Sequence, residues 1–165
     1  MSITHLHLLL NHVPVVGIVG LAALYALAAW RRSAELAKVA LGLTVALAGI
    51  AVAVYFTGEP AEELVERLPG FDEGLVERHE EAAMVATIAL ATLGLAATAL
   101  LARYRRRALP NGIAMLGLAA SLVTSALLGW TANLGGQIRH TEIRGAAVAD
   151  APRDSDGGAA RRQDP

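Results

Sequence analysis

The sequence predicts an all-α membrane protein, a bundle of four transmembrane helices running up-down-up-down. Three observations carry that prediction. Four long apolar runs stand out: Val13–Trp30, Val39–Phe56, Ala82–Ala102 and Gly112–Ala132. At about 1.5 Å per residue, each is long enough to cross a hydrocarbon core roughly 30 Å thick. The runs are apolar all round, whereas a soluble bundle would show a charged face in each window. Hydrophobic residues also make up 55% of the chain, which fits burial in lipid better than a single internal core.

Each element has its local signals. Ser2 or Thr4 can cap a first helix that carries His5 and His12 into the membrane. Pro14 is tolerated near a helix start, or as a kink that re-aims those first turns. No Lys or Arg lies in Met1–Asn11, so the first run does not read as a cleaved signal peptide. The second run stops at Thr57-Gly58, and Pro60 opens a short amphipathic surface helix over Pro60–Leu68. Pro69-Gly70 is a turn. Asp72 caps a helix that runs from Glu73 through His79 into the third crossing. Pro110-Asn111-Gly112 is a tight turn before the fourth crossing. That crossing reaches Gly135-Gly136, which either ends it or lets a group approach the backbone closely. Residues 1–144 form the transmembrane domain. Residues 145–165, rich in Ala, Asp, Gly and Arg without apolar periodicity, read as a disordered tail.

Charge orients the bundle. Arg31, Arg32 and Lys38 lie in the first link, and Arg103, Arg105, Arg106 and Arg107 in the third. The middle loop is acidic. The positive-inside rule then puts the basic links in the cytoplasm and both termini outside. Aromatic residues mark the interfaces: Trp30, Tyr25 and Tyr104 inside; Tyr55, Phe56 and Trp130 outside. The compact, loop-poor build suggests a bacterial inner membrane with periplasmic termini. Scattered glycines (Gly17, Gly20, Gly42, Gly49, Gly94, Gly117 and Gly129) read as points of close helix packing.

This topology brings histidines and carboxylates to the outer surface. His5 and His12 open the first run, Glu59 follows the second, His79 and Glu80 precede the third, and His140 follows the fourth. With no cysteine in the chain, disulfides, iron–sulfur clusters and thiolate chemistry are excluded. Imidazole suits haem iron, copper, zinc and non-haem iron. Ionisable groups at membrane depth are functional-site candidates. The candidate ligands are therefore His12, His79 and His140, with Glu59 or Glu80. His5 is a further candidate, and Asn11, Asn133 and Gln137 would steady the ring nitrogens.

His5 and His12 are about 10 Å apart along one helix face, so one haem cannot take both. His12 with His79 or His140, or His5 with His79, could serve haem b. Few aromatics and shallow histidines argue against haem, and a compact metal centre needs less room, so haem b and another metal both stay open. His7 falls on another face and reads as solvated, as do Arg139, Glu142 and Arg144.

Four blocks carry a resemblance. They are Leu6–Pro14 with its Asn-His-x-Pro, Thr57–Glu62 with Thr-Gly-Glu, His79–Ala83 with His-Glu, and Gly135–Arg144 with Gly-Gly-x-Ile-Arg-His. Together they resemble a family of small bacterial four-helix membrane proteins known as a domain of unknown function. The resemblance spans roughly Thr4 to Arg144 and implies the fold and the grouping of the four blocks, with no activity. Thr141 stands where the family pattern has proline.

Two functional readings stay open. One is an outer-face haem b or other metal centre that exchanges electrons with a periplasmic partner, a membrane partner or a quinone. The other is a non-redox accessory subunit whose polar cluster is a helix-packing clasp. A proton path is disfavoured, because the inner halves of the runs lack ionisable residues. The lipid bilayer is the one certain partner. Self-association is open, and the near-zero net charge gives no reason to invoke nucleic acid.

Overall fold

A computed structural model describes residues 3–67 and 71–144. The expected tail and the Pro69-Gly70 turn lie outside the described residues. Among the described residues six α-helices follow one another: α1 (Ile3–Leu10), α2 (His12–Arg31), α3 (Ala34–Phe56), α4 (Glu59–Val65), α5 (Glu73–Arg103) and α6 (Asn111–Arg139), with a 3₁₀ turn at Thr141–Ile143. Four helical stretches are long and apolar enough to span a membrane: Ile3–Arg31, α3, α5 and α6. The expected four-helix bundle is present, with α4 as the short helix between the second and third crossings.

Local chemistry explains the boundaries. The first stretch breaks at Asn11, between α1 and α2. Pro14 has no N–H for the Leu10 carbonyl, and its ring crowds that carbonyl, so the break falls where the proline requires it. Arg32 is left-handed (φ 49°) and closes α2 by returning its N–H to Ala28 and Ala29. The Ser33 hydroxyl caps α3 at Leu36 N (3.2 Å), and the Asp72 carboxylate caps α5 at Leu75 N (3.1 Å). Thr4 is not a cap. It lies within α1, and its hydroxyl donates to Pro60 O of α4 (3.3 Å).

Around the bundle each helix packs on two neighbours, in the order α2, α3, α5, α6 and back to α2. The interior is built from small residues and hydroxyls: Ala28, Ala40, Ala86, Ala114, Ser121 and Thr124 are buried. Large apolar side chains point outward, among them Val16, Leu95 and Leu116. That reversal of the soluble pattern suits lipid, where close backbone approach rather than hydrophobic burial holds helices together. Gly94 lies against Ala48, Gly117 against the Tyr25 ring and Gly17 against Leu47, whereas Gly20, Gly42, Gly49 and Gly129 face open space. Tyr25 is not an interface residue as expected. It is buried (3% exposed), with its hydroxyl 2.9 Å from Thr44 Oγ1.

The two halves repeat. Ile18 matches Leu90, Ala22 matches Gly94 and Tyr25 matches Ala97 at one constant shift along α2 and α5; all six are buried. Along α3 and α6, at a second constant shift, Ala37 matches Ala114, Thr44 matches Ser121, Leu47 matches Thr124 and Ala51 matches Leu128; these are buried too. The two helical hairpins thus bury corresponding positions, the pattern of an internal repeat.

Candidate functional site

The same repeat governs the end of the bundle that carries the histidines. His7 of α1 is half-buried, with Nδ1 3.2 Å from Val54 O and 3.1 Å from Thr57 Oγ1 at the end of α3. His79 of α5 places Nδ1 3.0 Å from Thr131 O of α6. A carbonyl oxygen only accepts, so Nδ1 carries the hydrogen in both rings. The Thr57 hydroxyl donates to Val54 O (2.8 Å), leaving its lone pairs to accept from His7.

His7 and His79 are equivalent in the two hairpins, as are their acceptors Val54 and Thr131. Each ring also lies beside an equivalent glycine. A Cβ at Gly58 would sit 3.8 Å from His7 Cε1, and one at Gly135 would sit 3.0 Å from His79 Cε1. Gly135-Gly136 therefore does not end α6; Gly135 gives the His79 ring its room.

The other candidates are spread over the surface. His12 is exposed and bonds back to Leu8 O of its own chain segment (3.2 Å). His140 is exposed and pairs with Glu142 at 2.8 Å. His5 is exposed on α1, and Glu59 is exposed at the start of α4. Gln137 Nε2 donates to Asn133 Oδ1 (2.6 Å) along α6 rather than to any imidazole. Asn11 Oδ1, in contrast, is buried without a partner. Among the described residues no group of three or more His, Asp or Glu is placed to hold a metal ion. The expected set of His12, His79 and His140 with Glu59 or Glu80 is not brought together.

Two residues that read as solvated are structural. His7 turns inward. Arg144 closes the end of α6, Nε donating to Gln137 O (2.7 Å) and Nη2 to Ile138 O (2.9 Å). The inward register of α2, continued back from Tyr25 through Leu21, Ile18 and Pro14, reaches Asn11 and His7, a face that only the packing marks.

Glu62 of α4 lies within the influence of Glu80 of α5, whose carboxylate can share a proton with it. That sharing, with partial burial and repulsion from Glu80, Glu66 and Glu59, pushes the Glu62 carboxyl up to about 7.

Fold and site together define an integral membrane protein with four crossings and a polar, hydrogen-bonded end. The chain belongs to the family described as "predicted membrane protein (DUF2231)", which matches residues 4–143. No curated protein and no solved structure matches it.

Proposed function

We infer that this protein is a non-redox accessory subunit of a bacterial inner membrane, latched at its periplasmic end by interhelix hydrogen bonds. One observation carries the reading: both half-buried imidazoles spend Nδ1–H on a backbone carbonyl of the neighbouring helix. The Thr4–Pro60 bond links α1 to α4 at the same end. The basic links at the opposite end support periplasmic termini. Each haem pair the sequence suggested includes an exposed imidazole, which favours the latch over haem b.

Thermal unfolding in mild detergent tests the latch. His7→Ala and His79→Ala should each lower the midpoint. Asparagine, whose Nδ2–H stands where the imidazole Nδ1–H was, should restore much of the loss. Midpoints equal to the unsubstituted protein in both alanine variants would sink the latch.

A further inference from the structure

A groove of about 420 Å³ opens between α5 and α6 on the flank of the bundle, and the latch does not use it. Its size falls in the range of small-ligand pockets, about 300–1,000 Å³. The two helices form an antiparallel hairpin, and His79 meets Thr131 and Gly135 across it. That register sets Arg78 level with Leu134, Ala82 with Trp130, and Val85 with Leu127, all of them lining the groove. The groove therefore has a charged mouth at the histidine end, a tryptophan at its middle and an aliphatic floor toward the membrane centre.

The polar groups that line it are unused. Arg78 and Glu81 are exposed at the mouth. Among the described residues neither makes an ion pair, with the other or with a third group. Trp130 is exposed, and its indole N–H, a donor only, has no acceptor among the described residues. Tryptophan at this level marks the membrane–water interface. Charged rim, indole and aliphatic floor follow the order of a phospholipid: headgroup, glycerol esters, acyl chain.

The two charges select the headgroup. A guanidinium suits a phosphate. The Glu81 carboxylate stands one helical turn away, at about 5–6 Å between Cβ atoms, and suits a cation. That spacing is comparable with the short link between phosphate and amine in a zwitterionic lipid. An anionic lipid would satisfy Arg78 alone and would meet repulsion from Glu77, Glu80 and Glu81, which flank it in the chain.

We propose that this groove holds one zwitterionic phospholipid, its phosphate on Arg78 and its amine end on Glu81. A glycerol ester carbonyl accepts from the Trp130 indole, and one acyl chain lies along Val85 and Leu127. The site does not depend on the latch.

Tryptophan quenching tests it. Trp30, near the opposite end, is the second of the chain's two tryptophans, so Trp30→Phe leaves Trp130 as the reporter. The full chain is placed in nanodiscs of equimolar phosphatidylethanolamine and phosphatidylglycerol, with brominated chains on one lipid or on the other. Quenching should be roughly twofold stronger with the label on phosphatidylethanolamine, the size that one exposed ion pair supports. Glu81→Gln should remove the preference, and Glu81→Arg should reverse it. Native mass spectrometry from detergent should show one retained phosphatidylethanolamine per chain, reduced several-fold in Arg78→Gln. Circular dichroism checks that each variant keeps its helices, as exposed and unpaired positions should. Equal quenching by the two labels, a preference that survives Glu81→Gln, or equal retention in Arg78→Gln would each overturn the site and leave only ordinary surrounding lipid.

Discussion

Substituting Gly135 by alanine probes the latch through its tightest contact. The new Cβ would stand 3.0 Å from His79 Cε1, 3.3 Å from Nδ1 and 3.6 Å from Nε2. Carbon atoms in contact prefer about 3.5–4.0 Å, so the ring must retreat by about half an ångström. The bond from Nδ1 to Thr131 O, 3.0 Å long, then stretches to the edge of hydrogen-bonding distance. Losing such a bond costs about 1 kcal/mol, and interhelix bonds in membranes average about 0.6 kcal/mol. Alanine in place of a helical glycine gains about 0.5–1 kcal/mol, so the single substitution nets close to zero.

The informative quantity is therefore the coupling. With His79→Ala in place, Gly135→Ala should show its full helical gain, and the double-mutant cycle should give about 1 kcal/mol of interaction. Reversible unfolding in mixed micelles, followed by circular dichroism, measures all four corners. Strict additivity would refute the contact between the His79 ring and Gly135 as a determinant of stability.

Other sites give independent outcomes. Thr44 Oγ1 already donates to Ala40 O (2.9 Å), so the Tyr25 hydroxyl must donate to Thr44; Thr44→Val strands that hydroxyl in the core and should cost about 1–3 kcal/mol, while Tyr25→Phe should cost less. Gly94→Ala would put a methyl 2.5 Å from Ala48 Cβ, so micellar unfolding should show a loss of about 1–3 kcal/mol from forcing α3 and α5 apart. Glu62 has a folded-state value raised from 4.5 to about 7, so its contribution is complete below 4.5 and fades as pH rises through 7. Solvent screening keeps that contribution small, but Glu62→Gln should flatten the dependence of the melting temperature on pH between those limits.

The four crossings were legible because lipid imposes a composition that no soluble fold shares. The caps at Asp72 and the proline-opened α4 were legible as local chemistry. Which way each helix faces was not, because a run that is apolar all round carries no stripe to mark its inner side. His5 and His12 were grouped by a shared face, while the packing that decides the register places His7 and Asn11 inside. Tyr25 misled for a related reason: an aromatic near a helix end fits an interface belt equally well until Thr44 is seen opposite its hydroxyl. The repeat was hidden because small residues and hydroxyls substitute freely in the core, so Tyr25 pairs with Ala97 and Leu47 with Thr124 without visible identity.

Amide hydrogen exchange on the His7→Ala/His79→Ala double variant, in detergent and resolved along the chain, tests the central claim most directly. The latch predicts lost protection in α1, α4, the first turns of α5 and the last turns of α6, with the arginine end of the bundle unchanged. Protection equal to that of the unsubstituted protein at the histidine end would contradict it.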